Sequence, residues 1–265
     1  MKSIILVPAR FASSRYPGKP LVELTGASGT RKPLIQRSFE AASRVAGVLD
    51  VYVVTDDERI ADACAGFGAP VIMTSPECRN GTERCAEALA QVGDADLLIN
   101  VQGDALLTPP SFVEALIDHC ASNPEAMVAT PAIRLGSDEV RELLIDEARG
   151  IVGGTSVVVD SRQNALYFSK RLIPHLPQGA LDSQLSPVRF HVGVYCYRRE
   201  ALDRYAATPE TELERLEGLE QLRFLVAGIP VAVVEVERPS FALRELNNPE
   251  DVPAIEQALA TAGID

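Results

Sequence analysis

Apolar positions in the first half of the chain follow two spacings in turn. Residues 3–7, 51–55, 70–73, 97–101 and 127–131 are short, nearly unbroken apolar runs, the pattern of strands buried on both faces. Between them, over 33–46, 57–66, 82–92 and 110–121, apolar residues recur at helical spacing. Strands alternating with helices predict an α/β fold with a parallel sheet covered on both sides. The second half is less regular. Residues 155–159 and 165–169 flank Asp160-Ser161-Arg162-Gln163-Asn164 and predict a hairpin. Residues 176–187, rich in Pro, Gly, Ser and Asp, read as a loop, and 188–197 as a strand. Helical spacing covers 200–206 and 213–226, and a strand is expected over 230–236. A last helix over 249–260 would be capped by Asn247 or Asn248, with Pro249 at its first position. No linker divides the chain, so 1–265 reads as a single domain in which residues 132–200, approximately, form an insertion.

Composition narrows the picture. Hydrophobic residues make up 46% of the 265 positions, enough for a full core. A net charge of −12 repels a nucleic-acid backbone, so no DNA or RNA partner is expected. The five cysteines form no CxxC pair and read as reduced thiols of a cytoplasmic protein. The three histidines lack metal-ligand spacing, and no apolar stretch reaches membrane-spanning length.

In an acidic chain a local cluster of cations is informative. Arg10, Arg15 and Lys19 fall in one loop directly after the first predicted strand, among the small residues Ala12, Ser13, Ser14 and Gly18. Ligands of open parallel sheets bind at the carboxyl ends of strands, and exposed amides with three cations suit a triphosphate. The loop has neither GxxxxGK[ST] nor GxGxxG, which argues against a P-loop enzyme and a dinucleotide oxidoreductase. Two further polar segments, 55–57 and 102–104, also follow strands. Asp104 in Asn100-Val101-Gln102-Gly103-Asp104 is placed either to hold Mg²⁺ or to cap a turn. Asn80-Gly81-Thr82-Glu83-Arg84 opens a helix whose first amides either meet an anion or only serve the helix start.

These segments occur in a set order. The loop PARxxSxRxPGKPL, the GTER and VQGD segments, Ala165-Leu166-Tyr167-Phe168-Ser169, the strand from His191 to Arg198 and Leu219-Glu220-Gln221-Leu222-Arg223 together resemble the 3-deoxy-manno-octulosonate cytidylyltransferases, the CMP-Kdo synthetase family, over nearly the whole chain. The resemblance implies a three-layer nucleotide-diphospho-sugar transferase-like fold with a mostly parallel central sheet. It implies a homodimer, with the insertion serving dimerisation and sugar binding. The implied reaction joins CMP from CTP to the anomeric hydroxyl of Kdo or a related 3-deoxy-2-ulosonic acid, releases pyrophosphate and uses Mg²⁺. By the same resemblance Ala9, Arg10, Arg15, Lys19, Gly81, Arg84 and Gln102 hold the nucleotide, with Lys19, Arg15 and Asp104 carrying the catalytic charge. Gln102, His191, Tyr195, Glu217, Glu220 and Gln221 face the sugar acid. Asp104 and, weakly, Asn247 bind the metal.

Four departures from the family pattern stand out. Ala105-Leu106 replaces the usual Glu-Pro after QGD, Ser156 stands where a lysine is usual, and the segment GASGTRK is longer than usual. Asn247 stands where a second metal-binding aspartate is usual, and Glu245 shares its face only if that segment is extended. These departures keep two other readings open: a cytidylyltransferase for a different acidic acceptor, and a non-catalytic nucleotide-binding homologue. A Rossmann-like binding protein unrelated to the family would require the ordered segments to be coincidental.

Overall fold

The computed structural model describes residues 1–12, 15–241 and 243–265, so Ser13 and Ser14 of the basic loop lie outside the described residues. The chain divides into two compact units, residues 1–117 with 239–265, and residues 118–238. The segment 132–200 lies wholly within the second.

The first unit is built on four parallel strands: β1 (Ser3–Ala9), β4 (Asp50–Thr55), β5 (Val71–Met73) and β6 (Leu97–Val101), side by side in the order β5-β4-β1-β6. A two-stranded ribbon, β2 (Glu23–Thr25) with β3 (Arg31–Pro33), follows the basic loop and was not expected from the sequence. Every residue of β1 and β6 is buried, as their unbroken apolar runs predict. The helices between strands are α1 (Leu34–Ala42), α2 (Glu58–Phe67), α3 (Gly81–Ala88) and α4 (Pro110–Ser122). Local chemistry sets their ends. Asp57 accepts a hydrogen bond from the Arg59 amide at 3.0 Å to start α2, and Gly68, at φ 79°, ends it. Asn80 accepts from the Glu83 amide at 2.8 Å to start α3.

The second unit mixes strand directions. β7 (Val128–Gly136) runs antiparallel to β10 (Leu185–His191) and β11 (Val194–Arg198), and parallel to β12 (Val231–Glu235). The expected hairpin is present as β8 (Thr155–Val159) and β9 (Ala165–Ser169), with β8 on β10. The strand expected over 188–197 is two strands, parted at Val192-Gly193, and the first begins earlier, at Leu185. Its register against β7 shifts between Leu185 and Arg189, which accommodates Pro187 in a strand where it cannot donate.

Between β7 and β8 the chain forms α5 (Ser137–Ala148), a helix the sequence reading missed. Its apolar face is thin: Val140 is buried against Leu135 and Val188, and Leu143 packs partly against the same cluster. After α6 (Arg199–Ala207), the helix expected over 213–226 is broken into α7 (Glu212–Glu217) and α8 (Leu222–Val226). Gly218, at φ 61°, is the break, because a left-handed residue cannot continue a helix.

The chain then returns to the first unit. Pro249–Asp251 forms one tight turn and α9 (Val252–Ala262) follows. The Asp251 carboxylate accepts from the Asn247 and Asn248 amides at 2.9 and 2.7 Å, so Asn248 does precede the first turn, with Pro249 at its start, as expected. Leu246, Ile255 and Leu259 pack with Leu24, Leu34, Leu106 and Leu107. Burying each such leucine contributes about 1.5–3 kcal/mol, which fastens the returning segment beneath the basic loop.

Candidate functional site

β1 and β6 are neighbours, so the segments that leave their carboxyl ends start side by side. The Gly103 amide donates to the Pro8 carbonyl at 3.2 Å. A Cβ at Gly103 would lie 2.6 Å from that carbonyl oxygen, so no side chain fits there. A Cβ at Gly81 would meet the Gln102 side chain at 2.9 Å. The start of α3 and the end of β6 therefore touch, and Gly81 and Gln102 fall together as expected.

The basic loop folds back on itself. Gly18, at φ 73°, donates to the Phe11 carbonyl at 2.9 Å, and the Arg59 guanidinium lies 3.3 Å above the centre of the Phe11 ring. Arg10 donates to the Arg79 carbonyl at 3.3 Å. Lys19 then enters a single turn of helix, which delivers its Nζ to Asp104 Oδ2 at 2.5 Å. Arg15 donates to Asn247 Oδ1 at 2.8 Å. Lys19, Asp104, Arg15 and Asn247 thus form one cluster at the strand ends.

Glu245 belongs to the same cluster. Leu246 is fully buried, while its two neighbours face away from that core, the alternation of an extended segment. This places Glu245 and Asn247 on one face. The Glu245 carboxyl is raised to about 7, first by desolvation and next by the negative charge of Asp104. Lys19, a hydrogen bond from the Asn247 side chain and Arg15 act in the opposite direction. As a residue Glu245 is exposed to solvent.

Arg84 is differently placed. It is buried, paired with Asp56 at 3.2 Å, and donates to Thr74 Oγ1 at 2.5 Å. Its guanidinium holds the start of α3 to the strand ends. Glu83 ties the Arg79 amide at 2.7 Å, so this segment does serve the helix start.

Of the four departures, only Asn247 lies in this cluster. Ala105 and Leu106 are buried, and Leu106 belongs to the leucine core. The longer segment GASGTRK carries the ribbon turn, and the Asp265 side chain accepts from the Ser28 amide at 2.8 Å. Ser156 is buried in the second unit, donating to the Arg171 carbonyl at 2.5 Å and accepting from the Ile173 amide at 3.1 Å.

The residues expected to face the sugar acid, apart from Gln102, lie in the second unit. His191 is only 6% exposed, shares a 2.9 Å hydrogen bond with Thr130 and packs against Phe168 and Tyr195. Burial lowers its pKa to about 3. Tyr195 is buried and stacks on Tyr197. Glu217 accepts from Ser169 Oγ at 2.8 Å and the Lys170 amide at 3.0 Å. Glu220 is half-buried and follows Gly218 and Leu219 in the turn before α8. The side chain of Gln221 is buried, and its Nε2 finds no partner among the described residues. Sequence reasoning missed the pair that braces this region: Arg223 makes two hydrogen bonds to Glu214, at 2.5 and 2.7 Å, and covers the Tyr205 ring.

With this geometry in hand, comparison with known proteins is decisive. Residues 4–236 match the family model described as cytidylyltransferase. The chain belongs to the cytidylyltransferase family. A 3-deoxy-manno-octulosonate cytidylyltransferase of Maricaulis maris (strain MCS10) is 39% identical over 264 residues, 99% of each chain. An 8-amino-3,8-dideoxy-manno-octulosonate cytidylyltransferase of Shewanella baltica (strain OS155 / ATCC BAA-1091) is 41% identical over 263 residues, 98% of this chain and 99% of the relative. A solved CMP:2-keto-3-deoxy-manno-octonic acid synthetase complexed with CTP superposes with a TM-score of 0.84 at 37% identity, covering 99% of this chain and all of the other. The resemblance carried by the ordered segments therefore extends over the full chain, and the mostly parallel sheet flanked by helices is that of the synthetase. No helix among the described residues is long and apolar enough to cross a membrane.

The site can also be tested for a metal. Among the described residues no group of three or more His, Cys, Asp or Glu side chains is arranged to hold one. Asp104 and Glu245 provide carboxylate oxygens and Asn247 an amide oxygen. That donor set fits Mg²⁺, which takes one or two carboxylates and fills its shell with phosphate oxygens and water.

Proposed function

We propose that this cytidylyltransferase moves CMP from CTP to the anomeric hydroxyl of a 3-deoxy-manno-octulosonate-type acid. The hydroxyl oxygen bonds to the α-phosphorus, the bond to the bridging oxygen breaks, and pyrophosphate leaves with the hydroxyl proton passing to solvent. The observation that carries this reading is the Lys19, Asp104 and Arg15 cluster at the carboxyl ends of β1 and β6. In-line displacement asks the protein for positioning and charge neutralisation more than for covalent chemistry. Lys19 exchanges Asp104 for phosphate oxygens, and Arg15 reaches the triphosphate from the same side. Ala9, Arg10, Gly81 and Gln102 border the nucleotide, and Arg84 fixes the helix start beneath it. Bound Mg²⁺ supplies positive charge to the triphosphate, with Asp104 as a carboxylate anchor.

His191, Tyr195, Glu217, Glu220 and Gln221 recognise the acid. A histidine with a pKa near 3 is a weak general base, so His191 acts by hydrogen bonding. Gln221 Nε2, without a partner among the described residues, is a donor suited to a hydroxyl or carboxylate of the acceptor. The protein is taken to work as a cytoplasmic homodimer.

A second acceptor is favoured by a specific finding, the 41% identity to relatives named for the 8-amino-3,8-dideoxy acid. Pyrophosphate release is to be followed with CTP, Mg²⁺ and each of the two acids. Release with either supports the transfer and names the acceptor. CTP binding without release for a broad panel of 3-deoxy-2-ulosonic acids would favour a non-catalytic homologue instead.

A further inference from the structure

Two arginines of the second unit stand directly opposite each other. The register of β10 on β7 pairs Arg189 with Arg134 and sets His191 opposite Ala132. Ala132 is in turn opposite Glu235, the last residue of β12. Paired residues of neighbouring strands share a face, as do residues two apart on one strand. Arg134, Arg189, Glu235 and His191 therefore project from one face of the sheet, in two adjacent rows. Leu135, Val188 and Phe190 turn to the opposite face, against Val140 of α5.

Like charges facing each other across a strand pair are destabilising. One carboxylate answers both arginines. Glu235 Oε2 accepts from Arg189 Nε at 3.2 Å, and Glu235 Oε1 lies 3.5 Å from Arg134 Nε. That second contact is no hydrogen bond, and the buried Arg134 Nε has no hydrogen-bond partner among the described residues. The terminal nitrogens of both arginines make no hydrogen bond among those residues either. Two cations thus share one anion, with most of their donors unused. Arg189 is only 16% exposed, whereas the Glu235 side chain, at its strand end, is 45% exposed. The guanidinium is held in place and the carboxylate is free to swing out. The groups so far placed on the acidic acceptor, meanwhile, include no cation. Gln102, Tyr195 and Gln221 are uncharged, burial keeps His191 neutral, and Glu217 and Glu220 are acids.

We propose that Arg134 and Arg189 form a fork that binds the carboxylate of the acidic acceptor, and that Glu235 fills the fork until the acid displaces it. This rests on the cytidylyltransferase reading above and deepens it by naming the groups that recognise the acid's charge. A guanidinium can donate to both oxygens of a carboxylate in one plane, a geometry that an ammonium lacks. Arg189 and His191 are two residues apart on β10, about 7 Å along the strand, within the length of an eight-carbon sugar acid. One acid can therefore place its carboxylate in the fork and a hydroxyl at His191.

The test follows pyrophosphate release with CTP and Mg²⁺. The acceptors are 3-deoxy-manno-octulosonate, its 8-amino-3,8-dideoxy analogue and the methyl ester of whichever acid reacts better. Melting temperature confirms that each variant folds, and CTP affinity is titrated without acid. Arg189→Met, and more so Arg134→Met with Arg189→Met, is expected to raise KM for the acid about tenfold or more, with kcat and CTP affinity near wild type. Wild type should prefer the acid to its ester, and the double variant should not. Arg189→Lys should recover only part of the loss. Glu235→Gln should lower KM for the acid. An unchanged acid KM in the folded double variant, or an undiminished preference for acid over ester, would overturn the fork. So would a larger loss in Lys170→Met, which removes the exposed ammonium beside Gly218. An unchanged or higher KM in Glu235→Gln would overturn the displacement. Each of these results leaves the transfer reading standing, whereas wild type that releases pyrophosphate with neither acid would remove both.

Discussion

Lys19 Nζ and Asp104 Oδ2 share a 2.5 Å hydrogen bond, joining the turn that ends the basic loop to the segment that leaves β6. Each side chain is about four-fifths buried, at 17% and 18% exposure, so their charges are only partly screened. Lysine here occupies the carboxylate that the proposed chemistry needs for a cation, and must turn away when phosphate arrives. Lys19→Ala is therefore expected to lower kcat by about two orders of magnitude with little change in KM for the sugar acid. Steady-state kinetics at saturating CTP measure this; unchanged kcat would remove Lys19 from the triphosphate.

Gly103 is the position at which the site tolerates no side chain. Its Cβ would lie 2.6 Å from the Pro8 carbonyl oxygen, a backbone atom held in β1. Gly103→Ala must push β6's exit away from β1 and carry Asp104 with it. We expect a loss of about 1–3 kcal/mol in urea unfolding and a fall in kcat/KM larger than the stability loss explains. A variant with normal stability and kinetics would show that the two segments are not rigidly joined.

His191 gives a pH signature of stability. Its pKa is about 3 in the folded chain against an ordinary value of 6.5. Between these values the unfolded chain binds a proton that the folded chain refuses, so stability falls as pH drops from about 6.5 towards 3. The slope from this group approaches about 1.4 kcal/mol per pH unit. His191→Gln should flatten the acid limb of a stability-against-pH curve measured by urea titration. An acid limb identical to wild type would mean that the imidazole gains a proton without cost.

The Glu214–Arg223 pair is nearly sealed, at 6% and 1% side-chain exposure. Removing one member leaves the other charge buried without its partner. Glu214→Gln is expected to cost about 3–5 kcal/mol, and the double replacement Glu214→Gln with Arg223→Met less than the Arg223→Met change alone. Thermal unfolding of the four proteins of the cycle checks this, and additive effects would deny the coupling.

The sequence made the strand and helix alternation of the first unit readable because β1 and β6 are apolar at almost every position and the intervening helices carry a clear apolar stripe. It failed where tertiary contacts decide. α5 packs Val140 and Leu143 against the core but leaves Leu144 and Ile145 exposed, so its apolar residues do not keep to one face and the helical period is masked. The break at Gly218 was hidden because the apolar spacing on either side stays in phase. At the site, Lys19, Arg15 and Asp104 were legible from a loop and a strand end. Arg84 was legible as important but not as buried, since its partner Asp56 comes from another strand end. Ala105 and Ser156 looked like changes in chemistry because sequence position alone cannot distinguish a cleft from a core.

The hydrogen bond from Arg15 to Asn247 spans 232 residues of chain. Everything from 118 to 238 is synthesised between the two partners, and the leucine core that seats residues 245–247 draws on Leu24 and Leu34 as well as α9. A nascent chain can therefore pair β1, β4, β5 and β6 early while Lys19 and Asp104 wait without their neighbours. On the proposed reading nucleotide affinity belongs to the finished polypeptide, and a ribosome-bound chain stopped after β12 would carry Arg15 and Lys19 without residues 245–247.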